Sequence, residues 1–308
     1  MIAFEPPAPE IGPWQEYLDH LVARGGPAVS DYASFQGWWK TLADASRAAS
    51  FSALDLQFLL GRGGAALGST ATMQGFMRVK PHGYAGDFEL LDRIYQRWHS
   101  PDPALRNWDQ FFQAQPAVRA LRGAKDYFGR WLRLAEAERR GAEPMIHLLH
   151  LGGGPGRELA EYFARAPESR VSCIYMDPDL RAVAYARRSC AGITGQVSFW
   201  PANPLAFGRL ASPDLIWVGG LFDYLDDGNF VTLLRRLWLL LAPGGELVAS
   251  NISPDNPSRA YFELNGWSLI PRDATHLATL AVKAGIPIPA LRIGREAEGV
   301  ILFIHAKR

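Results

Sequence analysis

Leu148-Leu149-His150-Leu151-Gly152-Gly153-Gly154-Pro155-Gly156-Arg157-Glu158 is an apolar run that breaks into glycines and then into a helical pattern. A strand-length run, Met145 to Leu151, that ends in a glycine-rich turn and opens a helix is the first strand–loop–helix unit of an α/β sheet. Glycine there lets the backbone turn sharply and lets a ligand approach with no Cβ in the way. The spacing Gly152-x-Gly154-x-Gly156 brings the third glycine one residue earlier than the dinucleotide-binding form does. Alone, such a loop also fits a plain tight turn.

The residues downstream decide between these. Val171–Met176 predicts a second strand, followed by a helix from about Pro178 to Ser189. Val197–Trp200 and Leu215–Val218 predict the third and fourth strands, Phe230–Leu241 an apolar helix, and Glu246–Ser250 a fifth strand. Strands alternating with helices imply a parallel sheet, because parallel neighbours need a crossover. The end differs: a helix near Ala274–Ala284 leads to Ala290–Arg295, a Glu298-Gly299 turn and Val300–His305. Two strands around a short turn form an antiparallel hairpin. The expected fold class is therefore α/β and Rossmann-like, parallel with a C-terminal antiparallel hairpin.

Upstream, apolar residues recur at helical spacing in Trp14–Val22, Phe35–Ala49 and Ala53–Leu60. Gly61–Gly68 predicts a break. A helix over Asp87–Trp98, stopped by Pro101 and Pro103, and a long one from Pro116 to Arg140 complete an N-terminal helical region. The expected organisation is a helical cap or lid over residues 1–140 and a Rossmann-like domain over 141–308.

Thirty-two Lys and Arg against 31 Asp and Glu leave a net charge of +1, without the basic surplus that phosphate tracking needs. Nucleic acid is not an expected partner. Cys173 and Cys190 are too few for a disulfide framework, and no Cys/His cluster suggests a metal. Met1–Pro7 lacks the basic start and apolar core of a leader, and the apolar stretch Leu237–Ala242 is too short to span a bilayer. The expectation is a cytoplasmic protein without stable membrane insertion, with a homodimer left open.

Asp177 ends the second strand roughly 20 residues past the glycines, where an acid accepts hydrogen bonds from both ribose hydroxyls of a bound nucleoside. Elsewhere a lone Asp reads as solvated surface. Pro178 is expected to open the next helix, where its missing N–H costs nothing. Ala202 and Asn203 follow the third strand, at the base-contacting position or in a simple turn. Gly219 and Gly220 end the fourth strand and favour close approach of a ligand; the segment they open runs through Asp223 to Tyr224.

Several stretches carry a resemblance: Lys80–Glu89 with its Gly83-Tyr84-Ala85-Gly86-Asp87, Asn107–Phe112, Leu149–Leu159, Gly220–Leu225, Asn251–Arg259 and Trp267–Arg272. The C-terminal half resembles the class I S-adenosylmethionine-dependent methyltransferases. From about residue 75 onward the chain is similar to the bacterial enzymes that make 3-hydroxypalmitic acid methyl ester. The resemblance implies S-adenosyl-L-methionine as cofactor, held by Gly152, Gly153, Gly154, Gly156, Asp177, Pro178, Ala202, Asn203, Gly219 and Gly220. It implies methyl transfer to a small-molecule acceptor, the carboxylate of a fatty or hydroxy acid. One departure is His150, where many class I enzymes carry an acid.

Tyr84, Asp87 and Tyr224 are the candidate catalytic residues; Asp87 also suits the N-cap of the next helix. His82 is a candidate base, and Arg78, Lys80, Arg119 and Arg122 are candidate partners of an acceptor carboxylate. For Arg119 and Arg122 a solvated helix face is the plainer expectation. Phe76, Phe88, Phe111, Phe112, Phe222 and Tyr224 either line an apolar acceptor pocket or pack the core. The alternatives are an N- or O-methyltransferase of a secondary metabolite, a cofactor-binding partner without catalysis, and an NAD-binding oxidoreductase. The hairpin and the glycine spacing argue against the last.

Overall fold

A computed structural model of the chain describes residues 11–139, 145–193, 195–206, 208 and 210–308. The expectations placed on Met1–Pro7 and on a boundary at 140/141 lie outside these residues. Helices α1 (Gly12–Ala23), α2 (Tyr32–Arg47), α3 (Ala53–Gly61), α4 (Gly64–Gly68), α5 (Met73–Val79), α6 (Phe88–Tyr95), α7 (Arg106–Ala114) and α8 (Pro116–Glu138) precede the first strand. Then β1 (Ile146–Leu151), α9 (Arg157–Arg165), β2 (Val171–Asp177), α10 (Leu180–Ser189), β3 (Val197–Pro201) and β4 (Leu215–Val218) alternate. After α11 (Asp227–Leu240) and β5 (Glu246–Ile252) come α12 (Arg259–Leu264), α13 (Ala274–Lys283), β6 (Leu291–Arg295) and β7 (Ile301–Lys307). The chain divides into two compact units, Met1–Arg119 with Pro257–Ser268, and Ala120–Asn256 with Leu269–Arg308.

The second unit holds one seven-stranded sheet in the order β3-β2-β1-β4-β5-β7-β6. β1 pairs parallel with β2 and β4, while β7 runs antiparallel between β5 and β6. All four residues of β4 are buried, as a central strand covered on both faces requires. On one face Leu149, Leu151, Ile216, Val218 and Leu247 pack with Phe230, Leu233 and Leu237 of α11 and Leu277 and Leu280 of α13. The opposite face is aromatic: β-register sets His150 beside Tyr175 and Trp217, and Phe128 and Trp131 of α8 pack against it. The α/β class, the parallel order and the antiparallel closure all match the sequence reading.

The first unit is helical around a cluster of rings. Phe35 and Trp38 of α2 meet Tyr17 of α1, and Trp39 and Phe111 meet Tyr261 of α12. Buried Asp109 accepts from the backbone N–H groups of Met73 and Ser100, both at 2.6 Å, which ties α5 and a loop to α7. Phe76, Phe88, Phe111 and Phe112 pack this core, so of their two readings the core one holds.

Four local expectations need correction. Gly61–Gly68 is not only a break, because Gly64-Ala65-Ala66-Leu67-Gly68 forms the short helix α4. Helices α5, α7 and α12 escape periodicity because each is nine residues or shorter. α6 stops at Tyr95 rather than Trp98, since Arg97 turns left-handed at φ +54°. Pro178 does not open α10: Asp179 caps that helix by accepting from Arg181 N–H, and Pro178 lies outside it.

Candidate functional site

The carboxyl ends of the parallel strands gather most of the predicted residues of the second unit. β1 ends at Leu151 and the chain turns through Gly152 (φ +63°), Gly154 (φ +49°) and Gly156 (φ +67°) into α9. Three left-handed residues within five strain any side chain but hydrogen. Gly153 is excluded from larger residues by space: a Cβ there would lie 2.1 Å from Cε2 of Tyr175. Across the loop, β4 leads through Gly219 to Gly220 (φ +75°), whose N–H donates to Ser250 Oγ of β5 at 2.7 Å. The segment Leu221–Tyr224 that follows is a short 3-10 turn.

Asp177 closes β2 with its carboxylate against the glycine loop. Oδ2 accepts from Gly154 N–H at 3.2 Å and Oδ1 from Asp179 N–H at 2.9 Å. Burial pushes its carboxyl up to about 6, against the pull of those two N–H donors. Each carboxylate oxygen still has a second lone pair for a further donor. Ala202 donates its N–H to the Asp177 carbonyl, which sets the end of β3 beside β2. Asn203 Oδ1 accepts from Leu205 N–H at 2.9 Å, so its side chain shapes the turn.

A second constellation went unread in the sequence. Arg272 is buried and donates to Asp227 Oδ1 (2.9 Å), Asn251 Oδ1 (2.8 Å) and the carbonyls of Phe222 and Leu225 (3.1 and 2.6 Å). It fastens the turn after β4 to the end of β5. Asp223 in that turn accepts from Ile252 N–H at 2.6 Å, and burial raises its carboxyl to about 7 despite the nearby Arg272 charge. The signal available was a cluster of charged residues around two strand ends; Arg272 lies 45 positions from Asp227, too far for local pattern to join them. Tyr224 stays 48% exposed beside it, while Phe222 is core.

In the first unit Asp87 is the N-cap of α6 and accepts from Glu89 and Leu90 N–H, both at 2.9 Å. Tyr84 is exposed. His82 is engaged by Glu89 at 2.9 Å and its ring packs at a tilt against Phe88, with centroids 4.4 Å apart. Arg78 donates to the Leu264 carbonyl at 3.4 Å, and Lys80 caps α5 in the left-handed region. Arg119 is exposed as expected, but Arg122 of the second unit is 8% exposed and does not belong to a solvated face. Apart from these, a cavity of about 370 Å³ lies between α8 and α9, lined by Lys125, Arg130, Arg133, Glu158, Glu161 and Arg165 among others, and no strand end contributes to it.

No protein-family model matches the chain, and no curated protein matches it in sequence. Solved structures do match in shape. A "possible exported protein" from Bordetella parapertussis is similar at TM-score 0.60 and 20% identity, over 99% of this chain and 99% of that one. A protein from Nostoc punctiforme put forward as an O-methyltransferase matches at TM-score 0.51 and 12% identity, over 78% and 73% of the two chains. The CMeT domain of the citrinin polyketide synthase matches at 0.51 and 14%, over 82% and 68%. The fold is that of the Rossmann-like methyltransferases. Among the described residues no helix is long and apolar enough to cross a membrane, and no group of three or more His, Cys, Asp or Glu is arranged to hold a metal.

Proposed function

We propose that the second unit binds S-adenosyl-L-methionine at the carboxyl ends of β1, β2 and β4, and that the protein is a methyltransferase acting on a small molecule. The observation that carries this reading is the glycine loop, with Gly152, Gly154 and Gly156 all left-handed, facing the carboxylate of Asp177. The residues fit the cofactor. The loop is glycine at four of its five positions from 152 to 156, the N-terminus of α9 favours an anionic carboxylate, and Asp177 has lone pairs left for ribose hydroxyls. When bound, the cofactor supplies an electrophilic methyl on a sulfonium.

The acceptor we favour is the carboxylate of a fatty or hydroxy acid, giving a methyl ester. This rests on the sequence resemblance from residue 75 onward. Such an acceptor is ionised at neutral pH and needs no base from the protein. The protein's part is then alignment and exclusion of water, and well-oriented pairs gain roughly 7–11 kcal/mol in that way. His82, held by Glu89, is not required as a base. We assign acceptor handling to Tyr84, Asp87 and Tyr224, of which Asp87 acts by fixing the start of α6.

Asp223 supports a second reading. A carboxyl raised to about 7 in the turn after β4 suits an acceptor that must lose a proton, a hydroxyl or an amine of a secondary metabolite. Calorimetric titration with S-adenosylmethionine, S-adenosylhomocysteine and NAD tests the cofactor assignment, and binding of NAD alone would overturn it. Turnover of labelled S-adenosylmethionine with fatty acids, hydroxy acids, phenols and amines then separates the two acceptor classes.

A further inference from the structure

Tyr175 lies two positions before Asp177 on β2 and is fully buried. Its O–H donates to the Gly154 carbonyl at 2.6 Å, while the Gly154 N–H is taken by Asp177 at 3.2 Å. One left-handed residue is thus held at both ends of its backbone by two residues of the neighbouring strand. Two more amides of the loop are engaged within the protein: Gly152 N–H donates to the Met176 carbonyl at 2.9 Å and Gly156 N–H to the Gly153 carbonyl at 3.0 Å. The loop's conformation is thus held by three of its own amides and by the Tyr175 hydroxyl.

Beneath the loop the Tyr175 ring stacks on His150, with centroids 6.0 Å apart and planes 10° from parallel. A Cβ on Gly153 would also meet His150 Nδ1 at 2.8 Å. The two rings form the floor on which the loop rests. Phenylalanine would fill the same floor, so packing alone does not call for the hydroxyl. The hydroxyl fixes the direction of the Gly154 carbonyl, and with it the peptide entering Pro155.

We propose that Tyr175 is a positioning residue for the ligand loop: its hydroxyl holds Gly154 in the conformation that receives the nucleoside ligand, so that losing it weakens ligand affinity rather than chemistry. This rests on the cofactor reading above. The test is Tyr175→Phe in the full chain, with S-adenosylmethionine and S-adenosylhomocysteine titrated calorimetrically. We expect Kd for both to rise about tenfold, the scale of one lost hydrogen bond. KM for the cofactor should rise with it while kcat at saturating cofactor moves less. Hydrogen exchange of the peptide over residues 152–159 should quicken in the free variant. A Kd and an exchange rate equal to those of the parent would overturn the proposal and leave Tyr175 as packing. Should Tyr175→Phe lose the fold, Gly153→Ala keeps the hydroxyl but displaces its ring, and there too an unchanged Kd would overturn the proposal. A parent protein that binds neither nucleoside sinks the cofactor reading itself, which is a different outcome from equal binding by parent and variant.

Discussion

Asp177→Asn gives the sharpest test of the electrostatics at the strand ends. In the folded protein the Asp177 carboxyl stands at about 6, against 3.8 for an unperturbed one. The cause is burial, only partly offset by the two backbone donors, Asp179 N–H and Gly154 N–H. An acid raised on folding contributes stability that is complete below the unfolded value and is lost as pH rises through the folded one. The gap of about 2 pH units corresponds to about 3 kcal/mol at 1.36 kcal/mol per unit. Roughly half of that falls between pH 5 and pH 8, because the unfolded carboxyl is already largely ionised at pH 5.

Asparagine keeps the shape and an acceptor for Asp179 N–H, but it does not ionise. Urea unfolding at pH 5 and pH 8 then isolates the effect, since every other titrating group is common to the two proteins. The parent should lose about 1.5 kcal/mol more than the variant between these pH values. Asp223, raised to about 7 by burial, shifts stability in the same direction in both proteins and cancels in the difference. If parent and variant lose stability in parallel, the Asp177 carboxylate is solvated in the folded protein, and its close hold on Gly154 is wrong.

Three further outcomes follow from the geometry. Gly153→Ala forces a Cβ toward the Tyr175 ring at 2.1 Å and should cost about 1–3 kcal/mol of stability in urea, and a neutral substitution would mean that the loop does not rest on that ring. Arg272→Met removes a buried guanidinium bonded to Asp227, Asn251 and two carbonyls, and should cost about 3 kcal/mol or more while raising the Asp223 carboxyl further; an unchanged chemical shift titration of Asp223 would contradict that. With a carboxylate acceptor, kcat should stay flat from pH 6.5 to 8.5, whereas a fall toward acid near neutrality, abolished by Asp223→Asn, would establish the acceptor as a hydroxyl or amine.

The sheet was legible because its strands are short, mostly apolar runs bounded by turns, and β4, covered on both faces, is an unbroken one. Leu215–Val218 needs no neighbour to be recognised, and it forms β4 with those bounds. The glycine loop was legible for the same kind of reason: positive φ at three of five residues admits almost nothing but glycine. The contents of the site were less so. Whether Asp177 faces the loop depends on the β1–β2 register, which sets Leu151 beside Met176, and on a bond to a residue 23 positions earlier. The reach of Arg272 to Asp227 and Asn251 exists only once β4 and β5 are neighbours.

His150 shows how such long-range terms change the meaning of a local sign. In sequence it is a departure from the resemblance, a histidine where many class I enzymes carry an acid. In the sheet it is fully buried, faces Tyr175 across the strand pair and comes within 3.3 Å of Glu158 through Nε2. An acid there would be a second carboxylate beneath the same loop, a few ångströms from Glu158, and like charges at that range in a buried setting oppose each other. The imidazole in its place supports the loop by stacking on Tyr175 and leaves Asp177 as the acid that meets the glycines. On the proposed cofactor reading, the end of β1 then offers no acid to an ammonium group, and Asp177→Asn, which removes the acid facing the loop, should weaken S-adenosylmethionine binding in calorimetric titration; unchanged affinity would take Asp177 out of the site.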